Sequence, residues 1–156
     1  MVLRAFRASD LDTLWAIDQA CFPPGISYSR EELAGFIGHK GSRTWVADEG
    51  GCIVGFLIAN RQTRAGRAAH IVTIDVVEAT RRRGVGSKLM DAAEQWARDK
   101  GLPMIYLETA EDNLPAQRFY AARGYRKLKR IEHYYRHGLA AWVMAKGLGE
   151  PSRVEG

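Results

Sequence analysis

Arg81-Arg82-Arg83-Gly84-Val85-Gly86-Ser87 packs three cations and two glycines into seven residues, between a strand-like run and a helix-like run. The first turn of a helix carries N–H groups with no intrahelical partner, and the macrodipole makes that end positive. Glycine lets backbone approach a ligand closely, while arginine adds charge and a fork of donors. These residue types at this spacing suit phosphate oxygens. Two better-known phosphate loops do not fit. A P-loop needs Gly, four residues, then Gly-Lys-Ser/Thr, whereas Gly86-Ser87-Lys88 has the wrong order. A dinucleotide fingerprint needs a third glycine where Leu89 stands. The loop predicts a phosphate-bearing ligand of another kind.

Glu108 follows the apolar run Met104-Ile105-Tyr106-Leu107. That places a carboxylate at the carboxyl end of a predicted parallel strand, where α/β sheets hold their ligands, and makes it a candidate base. His70, near the start of the preceding strand, reads as a hydrogen-bonded structural histidine. Asp75 lies nearer the Arg/Gly loop and reads as structural. His39, His70, His133 and His137 are not joined by any cysteine or carboxylate cluster, so no metal is expected.

The elements that must position these residues are legible as patterns. His70 to Val77 is rich in β-branched residues, and Val85, Leu89, Ala93 and Ala97 recur at helical spacing until Gly101. Met104 to Thr109 reads as the next strand, so the strand–helix–strand series predicts a right-handed parallel crossover. Upstream, Val2 to Phe6 reads as a strand, Ser9 as the N-cap of a helix bearing Leu11, Leu14 and Ile17, and Ser29 with Glu32 as a capping box. Thr44 to Ala47 and Cys52 to Ala59 flank an Asp-Glu-Gly-Gly turn, predicting a hairpin. Arg61 to Arg67 reads as a polar loop. Downstream come a helix from Asn113 to Ala122, closed by Gly124, and strands from Tyr125 to Tyr135 and Ala140 to Ala145. The pattern predicts one α/β domain over residues 1–149 with a mixed sheet, and a polar tail over 150–156.

The chain resembles the GNAT N-acetyltransferase superfamily, whose acetyl-CoA motif is Gln/Arg-x-x-Gly-x-Gly/Ala between a strand and a helix. Arg81, Gly84 and Gly86 match it, and Asn113, Ala116, Phe119-Tyr120 and Gly124-Tyr125 match the second half of the signature. The resemblance implies that backbone amides from Arg82 to Ser87 hold the CoA pyrophosphate, with Arg81, Arg83 and Val85 in the same cradle. It implies that two parallel strands splay apart, and that pantetheine pairs with the main chain near Val76 and Val77. It further implies that Asn113 contacts pantetheine or a water, that Tyr120 protonates the departing thiolate, and that His70 is a second candidate base, since some relatives carry their base or an aromatic at that place. N-cap duty is the other reading of Asn113, and a buried aromatic the other reading of Tyr120.

Within the superfamily the chain looks most like ribosomal-protein-alanine N-acetyltransferases, in which a Glu stands twelve residues before the Tyr, as Glu108 precedes Tyr120. Tyr134-Tyr135, followed by Gly138 and Ala141-Trp142-Val143-Met144, is similar to the ending of protein N-terminal acetyltransferases. There the paired tyrosines border the peptide groove; on a regular strand only one of the two would face it. Cys21-Phe22-Pro23 resembles the acceptor loop, but Gly25-Ile26-Ser27-Tyr28 replaces a frequent Trp. Phe22, Tyr28, Tyr134 and Tyr135 are therefore the candidate acceptor contacts. Energetics favour a peptide α-amine, whose deprotonation at pH 7 costs about 1.4 kcal/mol against about 4.6 for lysine. A small-amine acetyltransferase acting on a polyamine, amino acid or antibiotic is the alternative. A non-catalytic CoA-binding module and a nucleic-acid-binding module follow behind it.

Composition agrees with such a domain. The 156 residues are 46% hydrophobic and 26% charged, ordinary values for a globular protein. A net charge of +5 favours anionic ligands such as CoA, but no nucleic-acid motif accompanies the arginines, so no nucleic-acid partner is expected. No run of eighteen apolar residues and no signal-peptide pattern occur, so a cytoplasmic protein without a membrane partner is expected. Cys21 and Cys52 form no CxxC and are expected as reduced thiols in or near the core.

Overall fold

The computed structural model describes residues 1–62 and 67–149. The expected tail, and residues 63–66 of the expected polar loop, lie outside the described residues; Arg61 and Gln62 continue a strand instead. A seven-stranded mixed sheet forms from β1 (Val2–Ala5), β2 (Ser42–Glu49), β3 (Cys52–Gln62), β4 (Ala68–Val76), β5 (Met104–Ala110), β6 (Arg126–Ile131) and β7 (Ala141–Gly147). Its order is β1-β2-β3-β4-β5-β7-β6. Among the described residues only β4 and β5 run parallel to each other, across the crossover helix α3 (Val85–Asp99).

Each face of the sheet carries its own core. Val54 to Ala59 of β3 are all buried, as expected of a strand covered on both sides. On one face, Val85, Leu89, Met90, Ala93 and Ala97 of α3 form an apolar stripe against Leu57, Ile71, Ile105 and Leu107. On the other, α1 (Leu11–Cys21) and α2 (Arg30–Gly38) press Leu14, Ile17 and Leu33 onto Val46, Phe56 and Ile58. Glu94 interrupts the α3 stripe yet is buried. It accepts from Tyr125 Oη at 2.9 Å, Lys146 Nζ at 2.9 Å and Arg123 Nη2 at 3.3 Å, so its charge is compensated while it ties α3 to the end of the sheet.

Four sequence expectations need correction. Ser9 does not cap α1; it sits exposed inside a 3-10 turn, Ala8–Asp10. Asp10 occupies the N-cap position of α1 without a side-chain bond into the helix; its carboxylate turns back to accept from the Arg7 amide at 2.8 Å and from the Arg4 fork at 2.9 and 3.1 Å. Arg4 thereby holds the Asp10 carboxyl below its ordinary range. Cys52 is exposed, since it opens β3 beside the Gly50-Gly51 turn, whereas Cys21 is half-buried. The penultimate strand stops at Ile131 rather than Tyr135. Its residues Arg126 to Arg130 are all exposed at the sheet edge, and His133 adopts φ +52°, so neither burial nor backbone extends it. The last strand runs Ala141–Gly147, displaced from the expected Ala140 to Ala145.

Two irregularities open the sheet. The β3–β4 register steps from Ile58↔Thr73 to Ala59↔Ile71, leaving Val72 unpaired in a bulge. The β4–β5 pairing comprises only Ala69↔Ile105 and His70↔Tyr106. Beyond those pairs the parallel strands splay apart.

Candidate active site

The mouth of the splay is lined from both strands. Glu108 lies two residues past Tyr106 on β5, hence on the same strand face. Its Oε1 is 2.6 Å from His70 Nε2, with side chains only 15% and 18% exposed. The Tyr106 ring stacks on His70 at 4.6 Å and 20°. Burial, followed by the nearby Glu108 carboxylate, pushes the Tyr134 phenol up to about 12. Tyr134 thus stays a donor at working pH.

Tyr134 and Tyr135 lie in a turn rather than on a strand, closed by Gly138 N to Tyr135 O at 2.8 Å and Tyr135 N to Leu139 O at 3.1 Å. Strand alternation does not separate them: their rings meet edge-on at 4.9 Å. The same turn touches the loop after α1. A Cβ on Gly25 would lie 2.8 Å from His137 Nδ1, and Arg136 pairs with Glu32 at 3.5 Å. In that loop Tyr28 places its hydroxyl 3.5 Å from Val72 O, at the bulge, and its ring against Phe36. Burial raises Tyr28 and Tyr135 above the ordinary phenol range. Phe22 is the half-buried, extended residue that ends α1.

The Arg/Gly loop leads into α3 as expected. Gly84 takes φ +83°, and no side chain caps the helix, so the amides of Val85, Gly86 and Ser87 have no partner within it. Arg82 at φ +68° completes the tight turn. A Cβ on Gly86 would meet Phe119 Cζ at 3.3 Å and Val76 Cγ2 at 3.7 Å, so glycine lets α3 sit close to β4 and α4 (Leu114–Ala122). The three arginines divide their work. Arg81 turns Nε onto Val76 O at 3.0 Å, Arg83 pairs with Glu49 at 3.0 Å, and Arg82 is exposed. Val77 N bonds Val54 O at 2.9 Å, so that amide is committed to β3 rather than to the splay.

Tyr120 is 8% exposed between Phe119 and Tyr125, with ring centroids at 5.4 and 5.9 Å. Burial raises its phenol above the ordinary range. Asn113 caps α4, its Oδ1 accepting from Ala116 N at 3.2 Å. Among the described residues no three His, Cys, Asp or Glu side chains converge on a metal site. Sequence reasoning missed Tyr106, although its offset of two from Glu108 was a usable signal.

A model of the acetyltransferase (GNAT) family matches residues 11–125. An N-alpha-acetyltransferase from Sulfolobus acidocaldarius is 29% identical, spanning 94% of this chain and 92% of its own. The structure of Ard1 from Thermoplasma volcanium aligns with a TM-score of 0.85 at 26% identity, over 96% of this chain and 98% of that one. The ribosomal-protein-S18-alanine N-acetyltransferase from Escherichia coli shares the fold, with a TM-score of 0.84 at 18% identity, over 98% and 97% of the two chains. Family model, relative and sheet geometry agree: the chain belongs to the acetyltransferase (GNAT) family and is an N-acetyltransferase that uses acetyl-CoA.

Proposed function

We propose that the chain acetylates the α-amine of a protein or peptide N-terminus, in the manner of the ribosomal-protein-alanine enzymes. The observation that carries this reading is the Glu108 carboxylate at the splay, hydrogen-bonded with His70 and set near the turn that carries Tyr134 and Tyr135. Its kinship with N-alpha-acetyltransferases supports the acceptor class.

In this reading the pyrophosphate of acetyl-CoA sits on the amides from Arg82 to Ser87, and pantetheine lies along β4 near Val76. Asn113, at the head of α4, borders the pantetheine. Glu108 takes a proton from the amine through a water. The nitrogen lone pair attacks the thioester carbon, whose oxygen is polarised by backbone amides of β4. As the C–S bond breaks, Tyr120 supplies a proton to the sulfur. Phe22, Tyr28, Tyr134 and Tyr135 border the first acceptor residues.

A peptide α-amine needs only modest help from a carboxylate at neutral pH, which fits a site with a single acidic base. Steady-state acetylation of short peptides beginning Ala or Ser, set beside a polyamine panel, tests the proposal. The peptides are expected to show a kcat/KM at least about ten-fold higher, an advantage of about 1.4 kcal/mol. Preference for the polyamines would overturn the acceptor assignment and leave acetyl transfer intact.

A further inference from the structure

Glu94 lies inside α3, 3% exposed, and the proposed chemistry gives it no part. It accepts from the Tyr125 hydroxyl and the Lys146 ammonium at 2.9 Å each, and from the Arg123 fork at 3.3 Å. Arg123 also reaches Asp91, one turn earlier on α3, at 2.7 Å. Two of these donors, Arg123 and Tyr125, flank Gly124 at the end of α4, the helix that carries Tyr120.

The last carbonyls of a helix need partners from outside it. At the end of α4, Gly124 takes φ +94°, Gly124 N donates to Ala121 O, and Tyr125 N donates to Tyr120 O, both at 3.0 Å. These are the two bonds of a left-handed glycine cap, with Tyr120 as the residue whose carbonyl the cap closes on. The amide of Arg123 reaches the same carbonyl at 3.0 Å. The side-chain contact that accompanies such a cap is here Tyr125 against Tyr120, ring centroids 5.9 Å apart. Tyr120 is thus tied to Tyr125 by main chain and ring, and Tyr125 is tied to Glu94 by its hydroxyl.

We propose that Glu94 is a positioning residue for Tyr120, fixing the last turn of α4 to the helix that opens at the Arg/Gly loop. At nine residues, α4 depends on packing for its place. It meets α3 at two points. Near the start of α3, Phe119 lies against Gly86. Farther along, about 12 Å from residue 86 to residue 94 at about 1.5 Å each, Glu94 holds Arg123 and Tyr125. One contact would leave α4 free to pivot about Phe119; the second removes that freedom. An apolar side chain at 94 would cover the same surface without selecting one rotation of α4, whereas three bonds to a carboxylate specify it. The Tyr120 phenol therefore keeps a set distance from the amides at the head of α3. The inference rests on the reading above in giving that phenol the proton for the sulfur and those amides the pyrophosphate.

Kinetics in two backgrounds test the assignment, with the better of the peptide and polyamine acceptors. In Glu94→Gln one acceptor oxygen becomes an NH2 group facing other donors. Its kcat is expected to fall about ten-fold, within the cost of a misplacement of about 1 Å, with KM for both substrates changed less than about two-fold. In a Tyr120→Phe background the same substitution is expected to cost nothing further, because the phenol it positions is gone. Tyr125→Phe keeps the ring contact and loses only the bond to Glu94. It is expected to show the same pattern with a smaller loss, and it carries the test if Glu94→Gln does not fold. With Tyr120→Phe itself slow, a full additional loss in that background would overturn the positioning role, as would an undiminished kcat in both variants.

Fluorotyrosine labelling separates the placement of Tyr120 from its chemistry. The Tyr120 fluorine resonance, assigned by its absence in Tyr120→Phe, is expected to shift or broaden in Glu94→Gln and in Tyr125→Phe; an unmoved resonance would overturn the inference. If Tyr120→Phe turns over at the wild-type rate while that resonance moves, the proton-donor reading fails and the placement of Tyr120 by Glu94 stands.

Discussion

At the scale of single residues, the site centres on one carboxylate. Glu108 shares a 2.6 Å hydrogen bond with His70, whose tautomer sets its direction, and lies near Tyr134, whose phenol it helps to raise. A general base contributes about 100-fold or more, so Glu108→Gln is expected to lower kcat/KM for the acceptor by about that factor while sparing acetyl-CoA affinity. Steady-state kinetics beside calorimetric titration of CoA check this, and an undiminished rate would move the base elsewhere. Tyr120 is buried and its phenol raised, so it keeps its proton across working pH and has no part in an alkaline loss of activity. Tyr120→Phe is expected to cut kcat about 100-fold with unchanged CoA affinity. The strand end marked Glu108 as a candidate, whereas Tyr120 and Asn113 became candidates through the resemblance to the family's signature. The partnership of His70 with Glu108 was not legible as a contact: it joins residues 38 apart and exists only where two strands meet.

At the scale of elements, the loop into α3 depends on two glycines for different reasons. Gly84 needs a left-handed backbone but has open space where a Cβ would stand, so Gly84→Ala meets only conformational strain. That strain is about 1–2 kcal/mol, which thermal denaturation should register as a Tm lower by several degrees. Gly86 has ordinary helical geometry but a crowded neighbour, Phe119. The caps follow local chemistry unevenly. Ser29 and Glu32 form the expected reciprocal box, with bonds of 3.0 and 2.8 Å. Ser9 loses its expected place because the 3-10 turn Ala8–Asp10 moves the N-cap position to Asp10, whose carboxylate faces Arg7 and Arg4 rather than α1. A capping rule that sees only neighbours cannot register Arg4, which sits on a strand. The hairpin around Tyr134 and Tyr135 differs from its pattern for a similar reason: β-propensity is expressed where a face is buried, and this edge strand has none.

At the scale of the whole molecule, one mixed sheet is covered on both faces and broken open at one parallel seam. Ligand binding at that seam adds stability by mass action. At acetyl-CoA concentrations about 100 times Kd the gain is about 2.7 kcal/mol, or roughly 5–10 °C in Tm for a chain of this size. A thermal shift series checks it, and a flat response would remove CoA from the seam. The sequence by itself determined the order of elements, the crossover and the phosphate-type loop, because hydrophobic period, glycine punctuation and helix-terminus physics are local. Tertiary structure alone decided the bulge at Val72, the two-pair parallel ladder, the meeting of the Tyr28 loop with the Tyr134 turn, and the burial of the Asp18 and Asp75 carboxyls. These depend on strand register and on packing between distant segments, which no run of neighbouring residues encodes.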